Sequence, residues 1–226
     1  LTAFRPDRAF YCERKTFSDY MKILSQAAGQ EIVDFSSMMG ALEQRLAFFA
    51  EFGTTVSDNG IAHIAWEDYT AAQVEDIFRK AAAGERLSRE AINRYKSAFL
   101  IEMAKLYKKY NFVMQLHIGT YLDANHRKVR EIGQSTGFDC VDDSTAVKSV
   151  GQILDRLTEL DHLPKTILYP LNPAQMEPFA VLAAGFCDGM VRGKVQLGAP
   201  WWFNDQLGEL VERGEYFSDE KYLKDI

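Results

Sequence analysis

The sequence has no excess of positive charge, no membrane-length apolar run and no paired cysteines, and each absence removes a class of function. Its 26 Lys and Arg are outnumbered by 32 Asp and Glu, giving a formal charge of −6 and a pI near 5.3. With that balance and no basic stripe, no nucleic-acid partner is expected. A membrane helix needs about 20 consecutive apolar residues, and no run comes near that length, so no membrane partner is expected either. Cys12, Cys140 and Cys187 are odd in number and widely spaced, which suggests neither a disulfide framework nor a zinc ribbon. Free thiols of this kind point to a reducing, cytoplasmic location. No Gly-x-Gly-x-x-Gly and no Gly-Lys-Ser/Thr loop follows a strand-like stretch, which counts against dinucleotide and P-loop folds. The start lacks both an initiator Met and the basic region of a signal peptide. Leu1-Thr2-Ala3-Phe4 reads as the end of a strand, so the expectation is that the protein extends upstream.

What is present is an ordinary globular composition, 47% hydrophobic, in 226 residues: enough for one α/β domain or part of a larger one. Short strand-like runs fall at 1–7, 54–60, 112–119, 166–169 and 194–198. Arg5-Pro6-Asp7 reads as a turn closing the first, and Asp58-Asn59-Gly60 as a turn closing the second. Between them the apolar spacing is helical. Phe17, Tyr20, Met21 and Leu24 predict a helix stopped by Gly29, and Met39, Leu42, Leu46 and Phe49 one stopped by Gly53. Thr70 opens a helix over 70–83, Ser88 one over 88–110 without a capping box, and Ser144 or Thr145 one through Leu157. Residues 120–138 read as polar loop, and 174–186 as helix.

Strands alternating with helices give an α/β class with a parallel sheet. Arg5, Asp58, His117, Asn172 and Trp201 each fall at or just past a strand's C-terminal end, which is where an α/β barrel presents its chemistry. About five strands are too few to close eight, so the expected fold is an incomplete (β/α)8 TIM-type barrel.

Five blocks carry a resemblance. Phe4-Arg5-Pro6-Asp7, Val56-Ser57-Asp58, Gln115-Leu116-His117-Ile118-Gly119, Lys165-Thr166-Ile167-Leu168-Tyr169, and Lys194-Val195-Gln196 with Trp201-Trp202-Phe203-Asn204-Asp205 resemble the uronate isomerase (glucuronate isomerase) family, in its order, over residues 1–206. The resemblance implies a TIM-type barrel similar to the amidohydrolase superfamily, holding a divalent metal usually assigned as zinc. It also implies interconversion of aldose and ketose hexuronates, D-glucuronate with D-fructuronate and D-galacturonate with D-tagaturonate. On that alignment residues 1–226 are a partial metal-dependent barrel domain, roughly its third to seventh strands, with a helical insertion at about 14–52. The family's His-x-His pair and its last-strand Asp-Ser-Arg have no counterpart here, since His63, His117, His126 and His162 form no such pair. The principal metal ligands are therefore expected outside this chain. Many members also have Ser-Asp-His-Gly where this chain has Ser57-Asp58-Asn59-Gly60.

An aldose–ketose isomerase must hold a carboxylate, polarise a carbonyl and move a proton between adjacent carbons. Arginine suits the first task because its planar fork grips a carboxylate bidentately. Arg5 matches the family's substrate-binding Arg; the alternative is a rim ion pair with Asp7. His117 is the candidate catalytic residue, either completing a metal shell or contacting a substrate carbonyl or hydroxyl. Trp201 is a candidate wall against a sugar face, with core packing as the alternative. Asp58 either orients a neighbour in the substrate site or caps the next helix. Tyr169 and Asn172 read as packing and turn, and Arg127, Lys128 and Arg130 as a solvated loop face. The competing functions are a hydrolase on the same barrel and a catalytically inactive barrel fragment. A homo-oligomer is compatible with all three.

Overall fold

The computed structural model describes residues 2–134, 136–143 and 147–199. Helices α1 (Asp7–Phe10), α2 (Phe17–Ala28) and α3 (Phe35–Glu51) precede strand β1 (Asn59–Ile61). Helices α4 (Ala71–Ala82) and α5 (Arg89–Lys109) lead to β2 (Met114–Ile118). A small antiparallel pair, β3 (Thr120–Tyr121) and β4 (Cys140–Val141), flanks α6 (His126–Ile132). Then follow α7 (Val147–Glu159), β5 (Thr166–Pro170), α8 (Met176–Ala184) and β6 (Val195–Leu197).

Strands β1, β2, β5 and β6 form one parallel sheet in that order, each beside the next strand of the sheet along the chain. The expected first strand is reduced to a single parallel bridge between Phe4 and Ser57, because Pro6 cannot donate and the chain turns into α1 at Asp7. Consecutive parallel strands joined by helices make this an α/β fold. Among the described residues no helix is long and apolar enough to cross a membrane.

Helix ends follow local chemistry. Thr70 and Gln73 form a capping box at α4, Asp34 and Ser37 one at α3, and Ser88 accepts from the Ala91 N–H at α5. Gly29 ends α2 at φ +65°, a conformation only glycine adopts readily. The cap expected at Ser144 or Thr145 lies outside the described residues. Residues 120–138 are not plain loop: Asn125 accepts from Lys128 N–H and opens α6, whose Arg127 and Lys128 pair with Glu131 on an exposed face.

The two sheet faces differ. Ser57, Asn59 and Ile61, Met114, Leu116 and Ile118, and Thr166, Leu168 and Val195 are buried against the helices. Asp58, Gly60, Gln115, His117, Ile167 and Tyr169 lie on the opposite, half-exposed face. The run 112–118 therefore alternates rather than burying both faces as its composition suggests. Behind the sheet, Tyr95 of α5 packs edge-on against Phe17 and Phe35 and donates to the Ala9 carbonyl at 2.9 Å, so α1 is tied to the core beside Arg5.

Asp58-Asn59-Gly60 is not a turn. Asn59 and Gly60 pair with Leu116 and His117 in the sheet. The strand persists because the Asn59 amide is satisfied inside it. Its Nδ2 donates to Ser57 Oγ (3.1 Å) and the Gln115 carbonyl (3.0 Å), and its Oδ1 accepts from the buried Tyr107 hydroxyl at 3.1 Å. Position 59 thus faces the helices and fastens β1 to β2 and α5. Asn59→Leu leaves the Tyr107 hydroxyl buried without this acceptor, so urea unfolding should show a loss of about 1–3 kcal/mol. Adding Tyr107→Phe should recover part of it; a purely additive double mutant would contradict the network.

Candidate functional site

Backbone register brings the polar residues of the half-exposed face together. Phe4 bridges Ser57, which sets Arg5 beside Asp58, and β1–β2 pairing sets Asp58 beside His117. The Arg5 guanidinium donates from Nε to Asp7 Oδ2 at 2.7 Å and from Nη1 to Asp58 Oδ2 at 3.0 Å. The other Asp58 oxygen, Oδ1, lies 2.9 Å from His117 Nδ1. One carboxylate therefore sits between the arginine and the histidine. Two of the five guanidinium N–H groups, on Nε and Nη1, go to carboxylates.

Asp7 is itself fixed. Its two oxygens accept from the Gly60 N–H at 3.1 and 3.2 Å, while the Tyr11 hydroxyl donates to the Gly60 carbonyl at 2.7 Å and accepts from Ala62 N–H at 3.2 Å. Gly60 is glycine for space: a Cβ there would lie 2.7 Å from Arg5 Nη2 and 3.1 Å from Asp7 Oδ2.

The two acids on the guanidinium respond in opposite directions. The hydrogen bond from His117 holds the Asp58 carboxyl below its ordinary value; partial burial opposes this and the Arg5 charge assists. Burial pushes Asp7 up, with its hydrogen bond from Arg5 working against that shift. Arg5 ends above its ordinary value: burial disfavours its charge, but Asp7 and Asp58 outweigh it.

Of the residues singled out from sequence, Arg5, Asp58 and His117 form one chain of contacts. The Arg5–Asp7 ion pair exists, with Asp58 as a second partner. The helix-cap reading of Asp58 is wrong, because α4 starts well downstream on Thr70 and the Asp58 oxygens go to Arg5 and His117. Asn172 is a local cap, accepting from Ala174 N–H at 3.0 Å. Trp201 lies outside the described residues. Sequence reasoning missed Tyr11 and Gly60 as parts of the cluster and left Tyr169 as packing, although its ring stacks on His117. The signal for Asp7 was present in Arg-Pro-Asp, where the locked proline sets two charges on neighbouring turns. Among the described residues no group of three or more His, Cys, Asp or Glu could hold a metal ion.

Comparison with known proteins places this geometry. The sequence profile of the family described as glucuronate isomerase matches residues 1–225. A uronate isomerase of Lachnospira eligens is 38% identical over 205 residues, covering 91% of this chain and 44% of that protein. One from Phocaeicola vulgatus is 40% identical over 207 residues, with 91% and 44% covered. The crystal structure of uronate isomerase from Thermotoga maritima superposes with a TM-score of 0.85 at 26% identity, covering 96% of this chain and 47% of that one. The chain thus spans a little under half the length of these relatives, none of which carries a hydrolase name.

The Asp58 shift gives a pH signature. Its folded-state value lies below the ordinary 3.8, so its pairing contributes stability above that pH and loses it as pH falls through the lower folded value. Asp58→Asn should be less stable than the parent at pH 6, and the gap should close as the pH is lowered below about 3.8. A gap independent of pH would contradict the assignment.

Proposed function

The chain belongs to the glucuronate isomerase family, and on that premise we propose that it supplies one wall of the active site of an aldose–ketose hexuronate isomerase. Residues 1–226 would form the central part of a (β/α)8 barrel, roughly its third to seventh strands, with a helical insertion at about 14–52 and the remaining strands provided by the rest of the protein. The observation that carries this is the single Asp58 carboxylate touching Arg5 on one oxygen and His117 on the other, on the half-exposed sheet face.

Each residue has a task in that reaction. Asp7 and Asp58 orient the Arg5 guanidinium so that its remaining Nη donors meet the substrate carboxylate. Two flanking carboxylates more than offset its single charge, so the grip relies on directed hydrogen bonds rather than on net attraction. Asp58 sets His117 with Nδ1 inward, and Nε2 on the opposite edge contacts a hydroxyl or carbonyl oxygen at the reacting end of the sugar. In neutral imidazole with the proton on Nδ1, Nε2 accepts a proton from a hydroxyl as the adjacent carbons exchange oxidation level. A divalent metal, zinc by family resemblance, would have its ligands outside the described residues and would polarise the carbonyl. Trp201 remains the candidate sugar-facing wall, and a cytoplasmic location suits a uronate-metabolising enzyme.

Two substitutions in the complete enzyme test these roles. Arg5→Met should raise KM for uronates about 10- to 100-fold, the loss of a charge-assisted hydrogen bond, and should leave a neutral aldose nearly unaffected. Equal loss on both substrates would remove the carboxylate grip. His117→Asn should lower turnover by about 10²- to 10⁴-fold with metal content unchanged; lost metal would put His117 in the metal shell instead.

A further inference from the structure

Strand β1 stands at the end of its sheet, and among the described residues no further strand runs along its outer edge. Phe4 covers the approach to it: the Phe4 N–H donates to the Val56 carbonyl at 3.0 Å, and the Phe4 carbonyl accepts from the Asp58 N–H at 2.9 Å. A parallel ladder continued in the same step would bring residues 6 and 8 to Gly60 and Ala62. It stops because Pro6 has no N–H and its carbonyl accepts from the Ala9 N–H at the start of α1. Side chains take over the edge instead. The Asp7 carboxylate accepts from the Gly60 N–H at 3.1 and 3.2 Å. The Tyr11 hydroxyl donates to the Gly60 carbonyl at 2.7 Å and accepts from the Ala62 N–H at 3.2 Å.

Asp7 and Tyr11 are four residues apart and grip the N–H and the carbonyl of the same residue. Tyr95 ties α1 to the helix layer through Ala9; these two side chains tie it to the strand. Arg5 lies between the backbone anchor at Phe4 and the side-chain anchor at Asp7. A tilt of α1 against β1 therefore moves Asp7 and, through its 2.7 Å bond to Nε, the guanidinium. The Tyr11 ring is itself held, with the Arg14 guanidinium 4.0 Å and Lys96 Nζ 4.8 Å from its centroid and Phe10 edge-on at 5.0 Å. Burial pushes its hydroxyl above the ordinary value, so it keeps the proton it gives to Gly60. We propose that Tyr11 is a positioning residue for Arg5: its hydroxyl completes the outer edge of β1, fixes Asp7 against Gly60, and so aims the guanidinium at the substrate carboxylate. The inference rests on the reading of Arg5 as the carboxylate grip, and it adds what holds that grip in direction.

The test is steady-state kinetics of the complete enzyme on a hexuronate and on a neutral aldose, with Tyr11→Phe, Arg5→Met and the double variant. Tyr11→Phe keeps the ring and removes only the hydroxyl. It should raise KM for the hexuronate about 2- to 10-fold, the worth of one hydrogen bond, and leave the neutral aldose unaffected. Its kcat should stay nearly constant, because β1–β2 pairing still sets Asp58 beside His117. In the Arg5→Met background the same change should raise KM no further, since the group it aims is gone. A purely structural hydroxyl would act on both substrates alike, so an equal loss on both overturns the proposal, as does an additive double variant. A raised KM in Arg5→Met with an unchanged one in Tyr11→Phe overturns the role of Tyr11 and leaves the grip standing. An unchanged KM in Arg5→Met overturns the grip itself. Thermal unfolding is followed in parallel, and a Tyr11→Phe enzyme that does not fold also overturns the proposal, because the hydroxyl then serves the fold as a whole.

Discussion

The site depends on one carboxylate. Asp58 spans the gap between an arginine on the segment entering α1 and a histidine in β2, giving one oxygen to each. That sharing demands a fixed offset between three neighbouring backbone segments, and parallel pairing supplies it through Phe4–Ser57, Val56–Val113 and Gly60–His117. A slip of one residue in any of these pairings would turn Asp58 or His117 to the helix side. The chemistry and the sheet register are therefore the same constraint seen at two scales.

The buried side of the sheet holds that register. Asn59, one residue from Asp58, points the other way and locks β1 to β2 and α5 through Ser57, Gln115 and Tyr107. Gly60 then faces the site again and has both its peptide groups bound, by Asp7 of α1 and Tyr11 just after it. Strand alternation thus gives three consecutive residues three different tasks: charge relay between neighbours, internal fastening, and a floor without a side chain. The short helix α1 is steady enough to serve because the Tyr95 hydroxyl holds its Ala9 carbonyl from the core.

The helices were legible because their signals are local. Apolar spacing and caps placed α2 at the observed 17–28 and α3, α4, α5, α7 and α8 within a few residues, whereas α1 and α6 fall where turn and loop were expected. The strand run 112–119 was legible as a strand, but its alternating burial was not, since Val113, Gln115 and His117 face a side whose covering depends on distant residues. Asp58-Asn59-Gly60 misled because it has the composition of a turn, and only the three hydrogen bonds of Asn59 to distant partners make it strand. Arg5 and His117 could be picked out individually from their places at strand ends. Their shared partner could not, because Asp58 reaches residues 53 and 59 positions away in the chain.

The central claim is that Asp58 and His117 act as one unit at the reacting end of the substrate. A double-mutant cycle on kcat/KM for a hexuronate, using Asp58→Asn and His117→Asn singly and together in the complete enzyme, measures it directly. The account predicts strong non-additivity, a coupling of at least about 1 kcal/mol, with the double variant scarcely worse than His117→Asn alone. Independent, additive losses would show that the carboxylate and the imidazole serve separate purposes, and would contradict it.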